Sequence, residues 1–285
     1  NLFSLLSELG GGYKDSRDRR TRLELRTARP PRIPSGATPL PRIAAPKESA
    51  PAPAGAPAAA PAAAPGLIGG KYDLGAQIGA GGTGIVFIGY DHAVKRKIAL
   101  KKMHSAFRSN RTVRERFLQG ARIVAQLTHP YIVSIHDVVE HDQEIYLVFD
   151  YIEGDSLDQL LEKHKRLDLA DCTRIFDHVC QAVDAAHRGR VLHRDLKPSN
   201  IIVDKNGFAK VLDFDLAREA KDTISKLTQS DNSGTLAYMA PEQHLGDSRR
   251  ASDVYSLGIS IYETLTGTLP FKGPDFLAQK ERKKY

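Results

Sequence analysis

The chain has 285 residues, 41 basic against 34 acidic for a formal net charge of +7, and is 41% apolar and 26% charged. That length holds about two ordinary domains, or one of about 250 residues with tails, and the composition excludes a wholly disordered, fibrous or membrane-embedded chain. Its two cysteines, Cys172 and Cys180, exclude a disulfide scaffold and a multi-cysteine zinc site, and read as small buried side chains in a reducing, cytoplasmic compartment.

Residues 1–43 carry nine basic and four acidic residues, five of the seven surplus charges. Such a tail can attract phosphates or an anionic membrane, or can be a solvated linker. No aromatics interleave with its arginines, so no specific nucleic-acid partner is expected. Leu2 to Leu9 is too short for a secretory signal and lacks a basic flank. The sequence has no run of 18 apolar residues, so no membrane span is expected. Beginning at Asn1 rather than Met, the chain reads as a fragment or a processed product. Residues 44–65, AAPKESAPAPAGAPAAAPAAAP, have prolines too frequent for a continuous helix and predict an extended spacer. Residues 1–70 are thus expected to be a disordered linker, basic and then Ala/Pro-rich, with the folded body starting near Lys71.

From Tyr72 the pattern changes. Tyr72–Ile78, Ile85–Tyr90 and Lys97–Met103 read as strands, Val113–Leu127 as an amphipathic helix, and Ile132–Val139 and Glu144–Tyr151 as two more strands. The result is a small, mostly antiparallel lobe. Beyond residue 155 the reading is mainly helical: Ser156–His164, Asp171–Arg188 and Asp253–Thr266, the last apolar nearly all round and so expected to be a buried central helix.

Three segments carry chemistry. Gly79-Ala80-Gly81-Gly82-Thr83-Gly84-Ile85-Val86 fits GxGxxGxV. Dinucleotide-binding folds use similar glycines to open a helix, but here β-branched and aromatic residues follow, so the glycines mark a strand–turn–strand bend. Without side chains they let backbone amides approach phosphate oxygens; an ordinary Gly-rich hairpin is the alternative. Lys101 follows in an apolar strand, where an unpaired ammonium is costly and a phosphate beneath the turn is a natural partner. Lys102 should point to the opposite face.

His193-Arg194-Asp195-Leu196-Lys197-Pro198-Ser199-Asn200 is the third segment. Asp195 can accept a hydroxyl proton, and Lys197 can neutralise a moving phosphoryl group. Asn200 and the later Asp213 offer an amide oxygen and a carboxylate that suit Mg²⁺, which takes few protein ligands beside water and phosphate. Any one Asp alone could equally be a helix cap or turn residue.

Taken together, residues 71–285 resemble the protein kinase superfamily, and HRDLKPSN with Gly234–Gln243 (GTLAYMAPEQ) resembles its Ser/Thr branch of bacterial type. The resemblance implies an α+β, bilobal fold, with residues 71–152 as the small lobe and 153–285 as a partial helical lobe. It implies an ATP- and Mg²⁺-dependent Ser/Thr protein kinase. Asp195, Lys197 and Lys101 would be catalytic. Ile78, Gly79, Ala80, Gly81, Gly82, Thr83, Gly84, Val86, Ala99, Lys101, Asp150, Ile152 and Ile202 would hold the nucleotide, with Phe149 behind the adenine and Tyr151 in the segment along its edge. Asn200 and Asp213 would hold the metal, and Asp253 would brace the catalytic loop. The partner implied is a protein with a Ser/Thr acceptor, and Thr223, Ser225, Thr228, Ser230 and Ser233 are candidate autophosphorylation sites within 223–235, able to pair with Arg194 once phosphorylated.

Three positions depart from the family's pattern. Gly120 stands where the small-lobe helix normally supplies a glutamate to Lys101, and Glu115 lies about 140° round the helix from it. Asp213-Phe214-Asp215 replaces Asp-Phe-Gly, and only 14 residues follow Phe271, so the arginine that usually pairs with Glu242 is missing. These departures open a second reading, a pseudokinase or nucleotide-binding scaffold with little transfer. Retention of Lys101, Asp195, Asn200 and Asp213 together favours the enzyme. Transfer to a small molecule is a third reading, disfavoured by the protein-substrate platform that Gly234–Glu242 resembles.

Overall fold

The computed structural model describes residues 66–81, 84–105, 111–214, 233–271, 273 and 275–282. Alternating apolar residues make strands β1 (Tyr72–Gly81), β2 (Gly84–Asp91) and β3 (Arg96–Met103); helix α1 (Arg111–Ala125) and strands β4 (Ile135–His141) and β5 (Glu144–Asp150) follow. The five strands form one antiparallel sheet in the order β1-β2-β3-β5-β4.

Strand alternation decides what each face of this sheet does. On β5, Tyr146 and Val148 join Ile68, Tyr72, Ile98 and Leu100 in a small cluster on one face. Ile145, Leu147 and Phe149 enter the main core on the other, together with Met103 of β3 and Phe117, Ala121 and Val124 of α1. Lys101 lies between Ala99 and Met103 in the same alternation, so it shares the main-core face. Lys102 points away and pairs with Glu144 at 3.2 Å, as strand alternation requires.

The second region begins with strand β6 (Gly154–Ser156) and continues through α2 (Leu157–His164) and α3 (Leu169–Arg188), a 3₁₀ turn at Pro198–Asn200, β7 (Ile201–Asp204) and β8 (Ala209–Val211). Helices α4 (Ser233–Leu236), α5 (Pro241–His244), α6 (Arg250–Thr266) and α7 (Phe276–Arg282) complete it. Strands β6, β7 and β8 form a second antiparallel sheet. Asp168 caps α3 by accepting the Asp171 amide at 2.8 Å, and Gly267, at φ 74°, ends α6 in a left-handed turn where a Cβ would meet the Lys165 carbonyl at 2.6 Å. The main core runs without a break from the sheet through Phe176, Val179 and Val183 of α3 to Leu257 of α6.

Four differences from the sequence expectation have physical causes. Ile68 is already buried, bridged to Tyr72, so ordered packing starts ahead of Lys71. Ile132 and Val133 leave β4 and pair instead with Val211 of β8, whose carbonyl accepts the Val133 amide at 3.0 Å. Helix α6 begins at Arg250, three residues before the expected start. It is also not buried all round: Gly258 faces open space and Tyr262 is exposed. Its buried side carries Ser260 and Thr264, whose hydroxyls donate to carbonyls one turn back at 2.9 and 2.7 Å, and Ser256, whose hydroxyl lies 3.1 Å from the Ser252 carbonyl and 2.9 Å from that of Tyr238 outside the helix.

Candidate active site

Residues of four strands form rows across the main-core face of the first sheet. Gly79 pairs with Val86, Val86 with Lys101, and Lys101 with Leu147; beside them Ile88 pairs with Ala99 and Ala99 with Phe149. The β1–β2 hairpin closes with Gly81 opposite Gly84. Gly82 and Thr83, at its tip, lie outside the described residues. A Cβ on Gly84 would sit 2.1 Å from the Lys102 carbonyl, so close strand packing demands glycine there, whereas Gly81 has nothing within 4 Å and faces open space. Ala80 and Ile78 are exposed, Ile78 at an irregularity in the β1–β2 register.

Lys101 is 8% exposed, and its Nζ lies 2.5 Å from Oδ2 of Asp213. The two residues are 112 positions apart in the chain. Asp213 follows β8 at φ 52°, and the Leu212 amide before it donates to the Asn200 carbonyl at 2.9 Å, which ties the two metal-ligand candidates together through the backbone. Asn200 is buried; its Nδ2 donates to the Asp195 carbonyl at 2.7 Å, so its Oδ1 is the atom left to face a cation. One carboxylate and one amide oxygen fit a hard ion that keeps most of its own water and phosphate ligands. Among the described residues no group of three His, Cys, Asp or Glu side chains could hold a metal by itself.

Asp195 sits on a tightly fixed loop. Lys197 Nζ lies 3.3 Å from Asp195 Oδ1 and donates to Thr235 Oγ1 at 2.8 Å. Buried Asp253 accepts the amides of His193 at 2.9 Å and Arg194 at 2.7 Å, and its Oδ2 also takes His187 Nε2 at 2.7 Å. This brace holds Arg194 at φ 63°, a conformation that side chains resist without such support. His193 Nε2 meets the Leu212 carbonyl at 2.9 Å while Nδ1 accepts the Asp195 amide at 3.3 Å, which assigns the ring proton to Nε2. The His193 ring also packs on Phe214, centroids 4.7 Å apart.

The hinge between the two regions runs from Asp150 to Ile152. Asp150 Oδ1 takes His136 Nε2 at 2.7 Å and Arg96 at 3.4 Å, and Ile152 packs on the core. Ile202 lies on the opposite face of β7 from buried Ile201 and is itself half-buried.

The protein kinase domain family matches residues 72–284. The chain belongs to that family. It is 36% identical over 223 residues to a probable serine/threonine-protein kinase PknB of Bifidobacterium longum, covering 74% of this chain and 32% of that protein. It is 35% identical over 207 residues to the serine/threonine-protein kinase PrkC of Bacillus subtilis, covering 72% and 32%. With the serine/threonine-protein kinase PknA of Mycobacterium tuberculosis it shares 38% identity over 210 residues, 72% of this chain and 48% of the relative. The chain thus spans about a third to a half of the length of these relatives. Among the described residues no helix is long and apolar enough to cross a membrane.

The departures from the family pattern take definite forms in this kinase domain. Gly120 is half-buried on α1, and Glu115 turns to Arg111, 2.8 Å away in an exposed pair. The carboxylate that meets Lys101 is therefore Asp213 rather than a helix glutamate. Glu242 accepts the Ser252 hydroxyl at 2.5 Å. Asp215, Thr223, Ser225, Thr228 and Ser230 lie outside the described residues, as does the side chain of Ser233.

Sequence reasoning did not single out Gln243, whose Nε2 donates to the Arg194 carbonyl at 3.0 Å while its Oε1 accepts the Ala240 amide at 2.9 Å. It also missed Tyr238, whose hydroxyl donates to Glu263 at 2.6 Å in a half-buried contact. Burial pushes Glu263 above the usual carboxylate range and pushes the Tyr238 hydroxyl up as well. The only sequence signal for Gln243 was its place after Pro241 and Glu242; Tyr238 carried none beyond its aromatic character.

Proposed function

We propose that the chain is an ATP- and Mg²⁺-dependent Ser/Thr protein kinase domain spanning residues 71–285, with a nucleotide-gripping lobe to about residue 152 and a catalytic lobe beyond it. The residues ahead of buried Ile68 are its basic and Ala/Pro-rich linker. The observation that carries this reading is the 2.5 Å meeting of Lys101, on β3 of the first sheet, and Asp213, just past β8 of the second, 112 residues apart in the chain.

In this reading Ile78, Val86, Ala99 and Ile202 enclose the adenine, and Asp150 to Ile152 bond its edge. The backbone of Gly79 to Gly84, Ala80 and Thr83 included, covers the phosphates, and Lys101 holds them. Asn200 and Asp213 hold Mg²⁺, which when bound offsets the negative charge of the triphosphate. Asp195 orients the acceptor hydroxyl and takes its proton as the oxygen attacks the γ-phosphorus, while the bond from that phosphorus to the β,γ-bridging oxygen breaks and ADP leaves with the electron pair. Lys197, already beside Asp195, balances charge on the transferred group. Thr235, bonded to Lys197, is the first contact between this chemistry and the segment that would receive a protein substrate. The substrate proposed is a protein Ser/Thr hydroxyl, including acceptors within 223–235 of the chain itself, in a cytoplasmic setting.

The test is transfer of labelled phosphate from ATP with Mg²⁺, run beside Asp195→Asn. The variant should lose transfer by at least about 10³-fold and still bind nucleotide. Equal transfer by both proteins removes Asp195 from the role, and retained binding with no transfer by either turns the reading toward a nucleotide-binding scaffold.

A further inference from the structure

We propose that Lys280 is a positioning residue that clamps the substrate-side segment 235–240 next to Asp195 and Lys197. Its catalytic consequence rests on the phosphotransfer reading above; its geometry does not.

Lys280 lies on the short helix α7, in the polar run AQKERKK, where a lysine would ordinarily be solvated. It is instead 2% exposed. Its ammonium donates to the carbonyls of Leu236 and Met239, each at 2.6 Å. The rings of Tyr255, Phe271 and Phe276 stand around it, 5.8, 5.8 and 5.7 Å from Nζ to their centroids. Burial pushes the ammonium down to about 8, while the two carbonyls and the ring faces favour its charge. A buried cation bonded only to neutral acceptors is costly, and the acceptors it has chosen are informative. Leu236 ends α4 and Met239 follows three residues later, so both carbonyls belong to one stretch of chain lacking a regular ladder of its own.

Side-chain donors hold three of the four carbonyls from 236 to 239. Lys280 takes 236 and 239, and Ser256 of α6 donates to the Tyr238 carbonyl at 2.9 Å. One residue before Leu236, Thr235 accepts Lys197 Nζ, which stands 3.3 Å from Asp195. The path from Lys280 to the proposed base therefore runs through the Leu236 backbone and the side chains of Thr235 and Lys197. A largely open groove lined by Leu236, His244, Asp275, Phe276, Leu277 and Glu281 runs beside the clamp, so the segment is not walled in on that side once the ammonium is gone. A displacement of this kind acts on the acceptor protein's seat and leaves the glycine turn, Lys101 and Asp213 untouched.

The experiment compares wild type, Lys280→Met and Lys280→Gln in the full chain, with Arg282→Ala on exposed α7 surface as control. Three quantities are read: KM and kcat for a Ser-containing peptide, Kd for Mg-ATP, and amide hydrogen exchange across 235–240. Lys280→Met should raise the peptide KM roughly ten-fold or lower kcat by as much, with nucleotide Kd unchanged and faster exchange confined to 235–240. Lys280→Gln, which keeps one donor, should fall between it and wild type and serves if the methionine variant does not fold. Unchanged exchange at 235–240 in a folded variant overturns the clamp, and so does a parallel loss of nucleotide affinity. If wild type transfers no phosphate, the phosphotransfer reading fails, and the exchange measurement still decides the clamp.

Discussion

Two buried charges hold this site, and they are held in opposite ways. Asp253 is 1% exposed and receives three donors from two separate segments, His187 on α3 and the amides of His193 and Arg194. Lys101 is nearly as buried, yet the carboxylate it meets, Asp213, is one-third exposed and is itself a proposed metal ligand. The loop bearing Asp195 is thus fixed before any ligand arrives. The grip on the phosphates depends on a group with a second task. A catalytic base gains from a rigid seat, because a misplacement of about 1 Å can cost 100-fold in rate; a phosphate clamp that must exchange partners as Mg-ATP enters gains from having only one tie.

The comparison breaks most visibly at Asp253. Asp253→Ala strands two backbone amides and one imidazole in the core and should cost about 3–5 kcal/mol of stability. Asp253→Asn keeps an acceptor oxygen and should cost less. Denaturant midpoints check both; a loss under about 1 kcal/mol for the alanine variant means that the loop is held by other groups, Gln243 foremost.

A second tie on Lys101 sharpens the contrast from the other side. Gly120 is half-buried on the same face of α1 as Phe117 and Val124, which both enter the main core. Gly120→Glu should add a carboxylate toward the lysine and also remove a helix glycine, worth about 0.5–1 kcal/mol by propensity alone. Transfer should rise roughly ten-fold, equivalent to about 1.4 kcal/mol of added interaction. Steady-state rates at limiting ATP give the answer. A stabler protein with unchanged transfer would mean that Asp213 alone already sets the lysine where it is needed.

Much of this arrangement was legible because strands and long helices write their packing into sequence at fixed periods. Alternation alone placed Lys101 with Ala99 and Met103 and sent Lys102 to the other face, where it meets Glu144. The ladder of α3, from Cys172 to Ala186, is buried as its spacing implied. Segments of three or four residues are too short to show a period, so β6 and α5 went unread, and the pairing of Val133 with Val211 has no local signal. In α6 the apolar reading passed over Gly258 and Tyr262, which face outward, and over Ser260 and Thr264, polar residues that fit the buried side because their hydroxyls bond one turn back. Lys280 is the extreme case: it stands in a polar run between Gln279 and Glu281, and the tertiary placement of Tyr255 and Phe271 beside Phe276 makes its position a core position.

Lys280 also supplies a third way of holding a charge, with neutral acceptors only, and pH separates it from Asp253. Its folded value of about 8 lies below the ordinary lysine value of 10.5. Between those two points the unfolded chain binds the proton and the folded chain does not, so this residue makes stability rise with pH across that interval. Below about pH 8 both states carry the charge, and the folded state bears the full desolvation cost. The groups facing the ammonium from neighbouring elements, His244 on α5, Glu281 on α7 and Tyr255 on α6, remain in Lys280→Met, so the difference between wild type and that variant isolates the lysine. That difference should shift in favour of wild type from pH 8 to 10, with a slope no steeper than about 1.4 kcal/mol per pH unit, as read from chemical denaturation at each pH. A flat difference across the interval would mean that the two carbonyls and three rings restore the ammonium to its ordinary acidity, which makes the clamp fully charged at every physiological pH.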